Sequence, residues 1–227
     1  MNSLTRSKRA RAADDARDEG AVRERIVEAF AEKAKHCGIR SVAMGDLASE
    51  LRMSATTLYQ HFPSKEDLVI ATVERWVTDV AQREAAVLPP GKTLTTIERL
   101  LRWAHCWAEA ISQYSLAFWE DLRRRHPEAW KVFAAEIDRR KREGAARLRP
   151  RIRSELNPEI ALAVLDLIMT HMPSPRLCDR IGVSRRDAVE TAIALWARGA
   201  LDPSAGSSAK LLRLAARKRV RKGAPKV

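Results

Sequence analysis

The sequence has little that would build a β-fold, a disulfide framework or a membrane span. Strict alternation of apolar and polar residues is hard to find along its 227 residues, and β-branched runs are short. Cysteines number three, Cys37, Cys106 and Cys178, at irregular spacing. That excludes a paired disulfide framework and fits a reducing cytoplasm, so a cytoplasmic protein is expected. No apolar run approaches the roughly 18 residues of a membrane span. The basic N-terminus lacks the apolar stretch of a secretory signal. Glycine and proline are sparse, at 9 and 10, and no internal repeat stands out. Acid is missing at both ends. Arg6, Lys8, Arg9 and Arg11 precede the first acid, and eight basic residues lie between Lys210 and Lys226 with none. These ends carry nearly all of the net charge of +13, which leaves the body close to neutral. Basic ends of this kind bind nucleic acid through phosphate contacts and counterion release, or serve as solvated tails.

What is present is helical periodicity. Val22, Ile26 and Phe30 recur every four residues, with Val27, Ala31 and Ala34 beside them, predicting an amphipathic helix from about Gly20 to Gly38. A short helix follows from about Met44 to Leu51, and another from Ser54, a candidate N-cap, to Phe62, where Pro63 stops it. A fourth runs from Ser64 to about Val87, ahead of the breaking "LPPG". Further helices are expected near 93–111, 115–125, 127–148, 158–171 and 185–201, with "MPSPRLCDRIGV" (172–183) as a loop or irregular extension. The fold class is all-α.

The stretch "TTLYQHFPSKEDL" (56–68) divides into two faces. Leu58 and Phe62, four apart, pin a short helix to the core. Tyr59 and His61 offer rigid donors to phosphate. Lys65 sits at a helix start, where positive charge is unfavourable; Glu66 and Asp67 offset it and Ser64 with Asp67 resembles a capping arrangement, but the lysine makes most sense if an anion docks there. The arrangement of short helices before it matches helix-turn-helix geometry.

"LASELRMSATTLYQHFPSKEDL" resembles the DNA-binding core of the TetR/AcrR family of bacterial transcriptional regulators, over roughly residues 20–80. "AVETAIALWARGAL" (188–201) is similar to the last helix of such proteins. The resemblance implies an N-terminal three-helix DNA-binding domain followed by a C-terminal helical ligand-binding and dimerisation domain. Division of the chain is then a flexible basic arm (1–19), a DNA-binding domain (20–80, with the helix-turn-helix motif at about 43–62), a helical ligand-binding and dimerisation domain (81–202) and a basic tail expected to be disordered (203–227). It implies a homodimer on a palindromic operator in double-stranded DNA, released by a small-molecule effector. Ser54, Thr57, Tyr59, His61 and Lys65 would position phosphates, while Ala55, Thr56 and Gln60 would face the bases. Gln60 is suited to pair bidentately with adenine. Three positions depart from the family pattern: Arg52 stands where a turn glycine is common, Gly45 replaces a polar residue, and Ala43 occupies a usual Ser/Thr cap.

In the C-terminal region Trp103, Trp107, Tyr114, Phe118, Trp119 and Trp130 are candidates to line a cavity for an apolar or aromatic ligand. The helices at 158–171 and 188–200, rich in small apolar residues, suit a four-helix dimer interface. His105 and Cys106 are adjacent, so they point about 100° apart on a helix and do not converge on one ion. No metal site or cofactor is expected, and no catalytic constellation or phosphate loop appears, so the chain is not expected to be an enzyme. The competing reading is a DNA-binding protein without an effector, with broad affinity from its basic termini.

Overall fold

The computed structural model describes residues 3–88, 94–171 and 174–203, and among these the chain is built from ten α-helices. Its contacts divide it into two compact units. The first comprises Met1–Thr78 with Gln113–Ala135, the second Asp79–Ser112 with Glu136–Val227. The expected basic tail lies almost wholly outside the described residues. No helix among those described is long and apolar enough to cross a membrane.

In the first unit, α1 (Ser3–Cys37) begins far ahead of Gly20, where its apolar period starts. The residues expected as a flexible arm are rich in alanine, arginine and aspartate, and here helix-forming Ala and Arg outweigh the lack of an apolar face. Helices α2 (Met44–Glu50) and α3 (Ala55–His61) follow. α4 (Lys65–Val87) begins in this unit and ends in the other. Ile26, Phe30, Leu47, Leu58, Phe62, Leu68 and Val69 have no exposed surface and form one core. α6 (Leu116–Arg125) and the start of α7 (Pro127–Leu148) add Phe118, Leu122 and Ala129 to that same core. Segment 113–135 is thus part of the first unit, although its linear position had placed it with the C-terminal domain. Sequence distance hid this, because the partners of Leu122 lie on helices far earlier in the chain.

The second unit centres on α5 (Thr96–Ser112), which buries Ile97, Leu100, Leu101, Ala104, Cys106, Trp107 and Ala110. That is apolar surface on more than one face, as expected of a central helix. α8 (Pro158–His171) and α10 (Arg185–Ala200) pack with it, and the Trp196 indole N–H donates to the Ala161 carbonyl at 2.8 Å. Asn157 caps α8 and Ser184 caps α10 by accepting backbone N–H groups of the first turn. Between them lies α9 (Pro175–Ile181), where an irregular loop was expected. Pro175 suits a first helical turn and Gly182, at φ 66°, closes the end, so this short helix is set by its terminal residues rather than by an apolar stripe.

Candidate nucleic-acid interface

The turn between α2 and α3 is a Schellman closure. The Met53 N–H donates to the Ala48 carbonyl (3.0 Å) and the Arg52 N–H to that of Ser49 (3.1 Å). The geometry puts Arg52 at φ 55°, where glycine is usual. Among the described residues it is the one non-glycine with positive φ. α2 starts at Ala43 without a side-chain cap. α3 is capped by Ser54, whose Oγ accepts the Thr57 N–H at 3.0 Å and lies 2.8 Å from the Thr57 hydroxyl.

Burial sorts the candidate DNA contacts. Ala55, Thr56, Tyr59 and Gln60 are exposed, with Tyr59 at 47 %, whereas Thr57 and His61 are half-buried. Leu58 and Phe62 are fully buried, and the Arg23 guanidinium covers the Phe62 ring at 4.5 Å. One face of α3 is therefore free for a groove while the other anchors it. Ser54 and Thr57 already use their hydroxyls on each other and on the helix end.

Lys65 has a different setting from the one its position suggests. Its Nζ donates to the Val42 carbonyl at 2.6 Å and reaches the Arg40 carbonyl at 3.5 Å. Burial pushes its ammonium below the usual lysine value, opposed by the Asp121 carboxylate. The end of α4 is already capped from within. Asp67 accepts from the Ser64 N–H (3.0 Å) and hydroxyl (2.6 Å), and the Ser64 Oγ accepts from the Asp67 N–H (3.1 Å). An anion is thus not needed to account for the lysine, which ties the loop before α2 to α4.

Two contributors to this region lie far along the sequence and carried no local signal. Asp121 of α6 accepts the Arg40 N–H at 2.8 Å. Gly38, at φ 86°, lets α6 approach, since a Cβ there would lie 3.0 Å from Asp121 Oδ2 and 3.1 Å from the Ala117 Cβ. Glu66 joins the start of α4 to the α6–α7 joint through His126 Nδ1 (2.5 Å) and the Ala129 N–H (3.4 Å). The pattern "KEDL" marks a helix start but not these partners.

The candidate ligand-lining aromatics separate. Tyr114, Phe118, Trp119 and Trp130 belong to the first unit, where they pack with Trp76 and Phe133 at ring separations of 4.4 to 5.8 Å. Trp103 and Trp107 lie in the second unit, 6.0 Å apart. The Trp107 N–H reaches Glu84 at 3.5 Å, and the Arg140 guanidinium sits 5.9 Å from its ring. Among the described residues no group of three or more His, Cys, Asp or Glu could hold a metal ion.

A short capped helix presented with one polar face, behind a tight turn and a buried anchor, defines a helix-turn-helix DNA-binding protein. Residues 26–72 match the profile of bacterial regulatory proteins, tetR family. An HTH-type transcriptional regulator of Bacillus subtilis, YvaF, is 28% identical over 97 residues, which is 43% of this chain and 50% of that protein. The chain thus matches about half the length of this relative. A transcriptional regulator from Saccharomonospora viridis in complex with choline superposes with TM-score 0.67 at 21% identity, over 81% of this chain and 99% of that one. A gamma-butyrolactone receptor (ArpA-like protein) superposes at 0.52 and 18% identity, over 89% and 99%. Residues 26–72 thus carry a DNA-binding domain of the kind found in bacterial regulatory proteins of the tetR family.

Proposed function

We propose that the protein is a homodimeric repressor that binds a palindromic operator and is released from it by a small ligand held in the second unit. The exposed face of α3 supports specific reading, with Gln60 for an adenine edge, Ala55 for a thymine methyl, and Tyr59 for phosphate. One such helix reads few bases, so useful specificity calls for a second copy. The observation that carries the dimer is an apolar stripe left facing outward on α8, where Ile160, Val164 and Leu167 are 65, 43 and 58 % exposed, with Leu195 on α10 at 62 %. A monomer in water rarely leaves such a stripe uncovered.

Proteins of this fold take chemically unlike ligands, the Saccharomonospora viridis regulator being in complex with choline and the ArpA-like protein being a gamma-butyrolactone receptor, so the fold alone does not choose. A quaternary ammonium needs aromatic faces and a nearby carboxylate. In this chain the Trp107 ring and Glu84 are already matched by Arg140, which argues against a cation there. An effector would act by binding one state of the dimer more tightly than the other.

Selection of binders from randomised duplexes at near-physiological salt tests the proposal. A palindromic site is expected. Recovery of no motif, with affinity collapsing once residues 210–227 are removed, would favour the effector-free protein whose basic ends do the binding. Light scattering of Leu167→Glu tests the dimer, which should dissociate while the wild type does not.

A further inference from the structure

The second unit contains a cleft of about 490 Å³, within the range of small-ligand sites. Its walls differ in chemistry. α4 contributes Ala81 and Ala85, spaced to share one helical face, together with Glu84, and Leu88 follows directly after the helix. The rest of the lining is Arg99 of α5 and Arg140 and Arg147 of α7. Glu84 is neutralised internally. Its carboxylate pairs with Arg140, and both side chains are nearly buried, at 13 and 11 %. Arg140 also donates to Glu136 at 2.6 Å. Charge excess in the cleft therefore rests with Arg99 and Arg147. The Arg147 side chain is 66 % exposed, with Glu143 only at 4.0 Å, so it can turn inward without breaking a close pair.

We infer that this cleft binds a small organic carboxylate, with its acid group between Arg99 and Arg147 and its hydrocarbon body on Ala81, Ala85 and Leu88. Two guanidinium groups recognise a carboxylate through charge-assisted, fork-shaped hydrogen bonds. The small alanines leave room for the body, and covering them and Leu88 removes apolar surface from water. Inorganic phosphate would match the charge but leave that wall wet. The inference rests on the reading of the second unit as the effector domain and narrows the effector to an amphiphilic acid.

The test is calorimetric titration of the full chain with straight-chain carboxylates from butanoate to decanoate, each against the alcohol of equal length. Carboxylates are expected to bind and to tighten with chain length, while the alcohols and inorganic phosphate are not. Arg99→Gln and Arg147→Gln are each expected to weaken binding about tenfold, the loss of one charge-assisted contact. Absence of binding by every carboxylate, equal binding by the alcohols, or unchanged affinity in both variants would overturn the assignment. The effector reading fails separately. If the acids bind as expected but operator affinity does not change, the site stands and its regulatory role falls. If a different ligand releases operator DNA equally from wild type and both variants, the cleft falls and the regulatory role stands.

Discussion

Replacing Lys65 with Met separates two roles that the sequence cannot distinguish. Met keeps most of the apolar stem while removing the ammonium. If Lys65 contacts a DNA phosphate, its loss removes released counterions, and the slope of log K against log salt should fall by about 0.9 per protomer. If it acts as the structure places it, the slope stays while affinity drops at every salt concentration. The size of that drop follows from the bond lost. A hydrogen bond from a charged donor to a carbonyl contributes about 1.5–3 kcal/mol, and partial exposure of Lys65 puts this one at the lower end. Loss of the Val42 contact frees the residue just before the uncapped start of α2. Asp121 still holds the Arg40 N–H, so the loop loosens rather than unfolds. An affinity loss of about tenfold is therefore expected, with a small fall in the denaturant midpoint. The assay is fluorescence anisotropy with the selected operator across a salt series. Lys65→Arg provides the second arm. An arginine restores a phosphate contact but does not fit the site where Nζ lies 2.6 Å from Val42. A slope reduced by about 0.9 per protomer in Lys65→Met, with recovery in Lys65→Arg, would refute the loop-tie reasoning.

Arg52→Gly should stabilise the protein by about 1 kcal/mol, because it relieves a left-handed backbone at φ 55°, partly offset by the greater freedom of unfolded glycine; urea midpoints measure it, and an unchanged or lower midpoint counts against the strain. Ser54→Ala should cost about 1 kcal/mol through loss of the α3 cap and should weaken operator binding at all salt concentrations alike. Gly38→Ala should destabilise by more than about 1 kcal/mol, since the backbone at φ 86° and the approach of Ala117 and Asp121 both oppose a Cβ; a neutral outcome would show that α6 is not held closely against that loop. Glu136 is held below its usual value of 4.5 by hydrogen bonds from Arg139 and Arg140, against the opposing effect of burial. Its contribution to stability is present above that value and is lost as pH falls through the lower folded one. Glu136→Gln should therefore flatten the acid limb of stability measured by denaturant titration, and an unaltered acid limb would show that the arginine contacts do not stabilise the ionised form.

The elements that were legible in the sequence are those whose cause is local. α7, α8 and α10 begin close to where Pro127, Pro158 and Ser184 stand, since caps and first-turn prolines act within a few residues. The inward turn of Leu58 and Phe62 follows from spacing alone. The unusual backbone at Arg52 was visible as a departure from a family pattern, and it appears as a left-handed residue closing α2. What stayed hidden depends on distance along the chain. Nothing in "LYQHFPSKEDL" indicates that the lysine turns back to Val42, or that its neighbouring glutamate reaches His126 sixty residues later. The aromatic residues from 103 to 130 look alike as a run, yet a unit boundary falls between Trp107 and Tyr114, and periodicity within a helix says nothing about which core its end will join. Arg140 shows the same limit for charge. On α7 it reads as one more solvated cation, and only the fold brings it over Trp107 and against Glu84, so that the chain's own guanidinium takes the place a ligand cation would need and leaves the remaining arginines of the cleft to favour an acid.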